Sequence, residues 1–142
     1  MALVALVLAA PVRAASKVHK GATALIWLTN PSHSKYGTPR ARARAQARAS
    51  ELLFQGFRDV GWYSSALCVH RFEASWDDPD PPYFGGMQMD YDFQRDYGMT
   101  FYRRWGTADR WPVWAQLFAA YRGWVDRGWW PWPNTARYCG LL

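Results

Sequence analysis

The chain has 142 residues, 18% of them aromatic with ten tryptophans, and a formal charge of +6, a length that supports one domain with a sizeable core and hardly two. The charge is uneven: residues 1–50 hold eight Lys/Arg and no acid, giving +8, whereas residues 51–142 come to −2 and contain every tryptophan except Trp27. A nucleic-acid binder would carry its positive charge on the folded, aromatic-rich part, so nucleic acid is not expected as a partner.

In chain order, Ala2 to Ala10 is apolar and is followed by Pro11 and the small-residue ending Val12, Arg13, Ala14. The stretch is too short to span a bilayer, and residues 1–15 read as an export segment. Residues 16–50 are predicted to form a basic, flexible arm. Within it, Thr29 to Ser50 places turn formers first and then an Arg/Ala alternation from Arg40 to Ala49, a composition that buries too little apolar surface to fold alone. Ala and Arg favour helices, so Ala41 to Phe57 can become a helix leading into the domain. A solvated basic arm would be drawn to anionic cell-wall polymers or lipid head groups, or would serve only as a spacer.

Residues 51–142 are assigned to a single, mainly helical domain. Trp62, Ala66, Val69, Glu73 and Trp76 recur at spacings of four and three, which places them on one helical stripe and puts Glu73 on the buried face. Asp77, Asp78, Pro79, Asp80, Pro81 and Pro82 then break the helix. Tyr83 to Met89 contains paired glycines that suit a tight β-hairpin. Asp90 to Tyr97 and Met99 to Arg104 read as short helices separated by Gly98. Thr107 is expected to cap a longer helix that tolerates Pro112 early, shows the stripe Trp111, Trp114, Phe118, Tyr121, Val125 and ends at Gly128. Trp129 to Leu142 is expected to be coil held by aromatic side chains.

Two cysteines occur, Cys68 and Cys139, and in an exported chain an even count argues for a bridge. A zinc site would need two further ligands, and His70 is the one histidine of the domain, so no metal is expected. The chemistry concentrates on Glu73. A carboxyl packed among Val69, Phe72 and Trp76 would lose hydration, which disfavours its charged form and keeps it protonated nearer neutrality, as a general acid requires. Gln88 offers an amide donor and acceptor for sugar hydroxyl or N-acetyl groups. The aromatic excess could stack on pyranose rings, although most of it is explained as core.

Three segments, CVHRFEASW, YFGGMQMD and GWWPWPNTARYC, together spanning about residues 62 to 142, resemble the resuscitation-promoting-factor-like domains of actinobacteria, members of the lysozyme-like lytic transglycosylases. The resemblance implies an α+β, mainly α, small lysozyme-like fold with a short β-hairpin. It implies that Glu73 is the catalytic acid, that Gln88 and the Gly85–Gly86 turn line a glycan groove with Trp76, Tyr83 and Asp90 beside them, and that Cys68 pairs with Cys139. The expected function is cleavage of peptidoglycan between MurNAc and GlcNAc by a secreted or wall-associated monomer, without a cofactor. In the lytic route the sugar's own 6-hydroxyl attacks and one carboxylate suffices; a hydrolytic muramidase would need a second, from Asp77, Asp78, Asp80, Asp90 or Asp92. A non-catalytic wall-binding module is the alternative of a different class, and its mark would be an exposed Glu73 paired with Arg71 or Arg137.

Overall fold

Among the described residues, the computed structural model has six α-helices: α1 (Ala2–Leu28), α2 (Pro39–Asp59), α3 (Tyr63–Glu73), α4 (Tyr91–Trp105), α5 (Val113–Arg127) and α6 (Pro133–Tyr138). The structure describes the backbone of residues 2–142 and the side chains of residues 12–142. The expected export segment, residues 1–15, falls for the most part outside the residues whose side chains are described. The chain divides into two units, Met1–Tyr63 and Ser64–Leu142. The expected boundary at residue 51 therefore falls inside α2.

The first unit corrects the flexible arm, because residues 16–50 fall in two packed helices and the short connection between them, which holds a 3-10 turn at Pro31–His33. Thr29 ends α1 by donating from both its amide and its hydroxyl to the Leu25 carbonyl. Thr38 caps α2 by accepting from the Ala41 amide at 3.1 Å, with Pro39 at the first helical position, where a missing N–H costs nothing. Arg42 is not a solvated charge: it donates to the carbonyls of Leu28 at 2.6 Å, of Tyr36 at 3.3 Å and of His33, tying the connection to α2. Ala14, Val18, Ala22 and Leu25 of α1 are buried, as are Ala49, Leu53 and Phe57 of α2. Two glycines let the backbones approach. A Cβ on Gly21 would lie 2.6 Å from the Leu53 nitrogen, and one on Gly56 would lie 2.7 Å from the Val18 nitrogen. Composition conceals this pairing, since close glycine contacts need little apolar area and one polar face hides a small-residue face.

The second unit is also helical, and its longest irregular stretch runs from Ala74 to Asp90. Ala66 and Val69 are buried as their spacing predicts, as is Trp62 near the end of the first unit, but α3 ends at Glu73, so Trp76 lies beyond the helix. The glycine turn is closed by one antiparallel bridge, with paired hydrogen bonds of 3.1 and 3.0 Å between Phe84 and Met89. A strand ladder does not form, and the expected β-hairpin reduces to this bridge. Asp90 caps α4 by accepting from the Phe93 amide at 2.7 Å. The two short helices expected around Gly98 are one element with a kink at that residue (φ −136°, ψ 26°), where a Cβ would meet the Trp111 ring at 2.5 Å.

The long helix expected from Thr107 is divided. Thr107 precedes a short 3-10 turn, Ala108–Arg110, and α5 starts only after Pro112. The proline pushes its predecessor out of helical space, and Trp111 is extended at ψ 143°. Gly128 ends α5 as expected, with φ +60°, whereas Val125 lies on the outer face at 63% exposure. The tail is not coil throughout, since Pro133 opens the short helix α6.

Three buried side chains hold the irregular stretch in place. Gln116 accepts from the Gly86 amide at 2.9 Å and donates to the carbonyls of Trp76 at 2.8 Å and Trp111 at 3.1 Å. Gln94 donates to the Met89 carbonyl and accepts from the Ala108 amide, both at 2.8 Å. Trp132 donates from its indole nitrogen to the Met87 carbonyl at 2.6 Å. Both glutamines are fully buried, and each satisfies backbone groups that a loop cannot pair by itself.

Candidate functional site

Cys68 and Cys139 form a disulfide, with Cα atoms 6.0 Å apart. The bridge holds the end of α6 against α3. Thr135 stands one helical turn before Cys139, and Glu73 is the last residue of α3. Across this junction the Thr135 hydroxyl donates to Glu73 Oε1 at 2.6 Å. Burial pushes the Glu73 carboxyl above its ordinary value, and the Thr135 hydrogen bond, which favours the anion, pulls it part of the way back. Desolvation is the larger of the two effects. Among the described residues no ion pair reaches Glu73; Arg137 instead donates to the Pro133 carbonyl at 3.3 Å.

Glu73 opens into a hollow of about 260 Å³ that it shares with Tyr83, Gln88, Trp132 and Asn134, walled by Pro131 and Pro133. A second hollow of about 310 Å³ shares Tyr83, Gln88, Trp132 and both prolines, and adds Asp90, Arg127 and Trp130. Together they form one groove with Glu73 toward one end. Tyr83 and Trp130 present large exposed rings to it, at 49% and 63% exposure. Flat apolar faces flanking a few polar groups are what stacking on sugar rings requires.

Gln88 lies at the junction of the two hollows and has φ +46°, an uncommon value for a residue other than glycine. Its amide nitrogen donates to Asp78 Oδ2 at 2.7 Å and to the Gly85 carbonyl at 3.1 Å. Both partners are acceptors, which fixes the amide orientation and leaves Oε1 as the acceptor available to a ligand. A left-handed residue held by two such bonds is over-determined by its surroundings, a pattern typical of functional positions.

Of the residues expected at the site, the groove gathers Glu73, Tyr83, Gln88 and Asp90. Trp76, Gly85 and Gly86 do not line it. The Trp76 ring stacks on His70 with centroids 3.8 Å apart, and a Cβ on Gly86 would fall 2.4 Å from that ring. A Cβ on Gly85, which has φ +71°, would fall 2.4 Å from Gln116 Oε1. These glycines therefore admit Trp76 and Gln116 behind the turn; the close approach is to the protein's own core. Phe72 likewise does not enclose Glu73, being 54% exposed and stacked on Tyr138.

The candidate second carboxylates separate by position. Asp78 is engaged by Gln88, Asp92 pairs with Arg95 on the exposed surface, and none of Asp77, Asp78, Asp80 or Asp92 lines either hollow. Asp90 lines the adjoining hollow while capping α4. Glu73 is the one carboxylate lining its own.

Thr135, Asn134, Trp130 and Gln116 were not anticipated from sequence. Thr135 and Asn134 lie inside GWWPWPNTARYC, a segment legible mainly for its cysteine, and Gln116 is a lone polar residue in the apolar run Ala115 to Ala120. Comparison with protein-family models, with curated proteins and with solved structures gave no match.

Proposed function

We propose that the chain is a lytic transglycosylase of lysozyme-like type that cleaves peptidoglycan between MurNAc and GlcNAc, with Glu73 as both acid and base. The observation that carries this reading is the half-buried Glu73 carboxyl, held by Thr135 and raised in pKa, in a groove lined by exposed aromatic rings and an amide oxygen. The Thr135 hydroxyl occupies Oε1, so Oε2 is the oxygen that carries the transferable proton. That proton passes to the glycosidic oxygen as the bond to the MurNAc anomeric carbon breaks. The resulting carboxylate then takes the proton of the MurNAc 6-hydroxyl as its oxygen attacks the same carbon. A 1,6-anhydro ring forms and Glu73 is protonated again, so no second carboxylate and no water are consumed. Export belongs to the same proposal, since a structural disulfide persists in oxidising compartments.

The deciding experiment is mass spectrometry of products released from purified peptidoglycan. Anhydro-muramic ends are expected. Reducing ends would replace the lytic route by hydrolysis, and intact glycan after prolonged incubation would overturn catalysis in favour of a binding module.

Thr135→Val tests the Glu73 environment separately. Removing the hydroxyl takes away the influence that lowers the Glu73 pKa, so the alkaline limb of the rate profile should move to higher pH. The near-isosteric change should cost roughly 1 kcal/mol of stability. A limb that stays in place or moves down would show that Thr135 does not act on the catalytic proton.

A further inference from the structure

Beside α6 a hollow of about 530 Å³ is lined by Asn134, Arg137 and Tyr138. Asn134 also lines the Glu73 hollow, so the two adjoin. Tyr138 is 80% exposed, and its ring lies against Phe72 with centroids 5.9 Å apart and planes 28° from parallel. An exposed aromatic pair of this kind gains nothing from core packing and is a surface suited to an organic ligand. Arg137 makes no ion pair among the described residues; one Nη donates to the Pro133 carbonyl and the rest of the fork is available. Cys139 is bonded to Cys68, so the segment is anchored immediately after Tyr138.

The sugar rings of a peptidoglycan strand carry no charge. Its carboxylates sit on the 3-substituent of MurNAc, either as the lactyl group itself or, when that is amidated, on the peptide stem. A guanidinium fork matches a carboxylate in two-point geometry, an amide such as Asn134 can pair with a peptide bond, and a flat aromatic surface can carry the stem's aliphatic parts. We propose that the hollow formed by Asn134, Arg137 and Tyr138 is a subsite for the carboxylate-bearing substituent of MurNAc, placing that substituent next to the bond opposite Glu73. The proposal rests on the glycan-cleaving reading of the groove. Arg137 and Tyr138 act in substrate selection and do not touch the reacting atoms.

Binding can be measured without turnover by calorimetry on the full chain carrying Glu73→Gln. Three soluble ligands of equal sugar length serve as probes: muropeptide oligomers with intact stems, the same oligomers stripped by an amidase to free lactyl groups, and chitin oligomers with neither. Arg137→Gln added to this background should weaken the carboxylate-bearing ligands by roughly three- to tenfold and leave chitin oligomers unchanged. Tyr138→Ala should weaken the stemmed ligand most. Arg137-sensitive binding confined to stemmed oligomers assigns the subsite to the peptide; equal sensitivity with stripped oligomers assigns it to the lactyl carboxylate. Indifference of all three ligands to both substitutions would overturn the subsite while leaving the groove intact. Failure of every ligand to bind would overturn the glycan-cleaving reading itself.

Discussion

Glu73→Gln should lower glycan cleavage by about 100- to 10,000-fold, the usual contribution of a positioned general acid, while the protein folds and still binds glycan. The amide keeps the shape and can still accept from the Thr135 hydroxyl, but it has no proton to give. Wild-type activity should fall on the alkaline side as Glu73 loses its proton, and the residual activity of the variant should lack that limb. Stability should fall over the same rise in pH. Burial raises the folded-state pKa above the unfolded one, so the native chain holds the proton more tightly. Ionised Glu73 therefore costs stability above the folded pKa, and the cost vanishes below the unfolded pKa. The gain in melting temperature of Glu73→Gln over wild type should accordingly grow as pH rises through this range and disappear in acid. Full activity in a well-folded Gln variant would end the mechanism. Asn substitutions at Asp77, Asp78, Asp80, Asp90 and Asp92 complete the test. Only Asp90 lies on the groove, so a loss at Asp90→Asn as deep as that at Glu73→Gln, with reducing-end products, would install the hydrolytic route.

Replacing Cys68 and Cys139 together by serine should cost about 4 kcal/mol, the chain-entropy figure for a loop of this size and an upper value where the native state carries strain. The sequence separation is 71 residues, so the bridge closes most of the second unit into one loop. Small domains have about 5–15 kcal/mol of stability in all, so the melting temperature should drop by roughly 20 °C. A second consequence follows from position. The bridge clips α6 to α3, and the Thr135–Glu73 hydrogen bond crosses the same junction. Below the melting temperature, the serine variant should lose activity before it loses helical circular dichroism. Unchanged activity and melting temperature would show that the aromatic and glutamine contacts alone hold α6.

Local features follow from residues close together in the chain. Trp62, Ala66 and Val69 are buried at their helical spacing, Asp90 caps α4, the chain bends at Gly98 and Gly128 ends α5. Each depends on residues within a turn or two of one another, where side-chain period, a capping carboxylate or the freedom of glycine acts directly on the backbone. The identity of the half-buried carboxylate was legible for the same reason, through the periodicity of α3. Pro112 is legible as well, and the constraint it places on Trp111 is what delays the start of α5 to Val113. The surroundings of Glu73 come from long-range packing. Thr135 is 62 residues away along the chain, Gln116 is 30 residues from the glycine turn that it supports, and Trp132 is 45 from Met87. No local period encodes such pairings, because they arise when buried donors and acceptors must find partners after the helices have packed. The same holds for the first unit. Its arginines and alanines read as a solvated arm until Gly21 and Gly56 are seen to let α1 and α2 meet backbone to backbone, a contact that depends on where two distant small residues coincide in space.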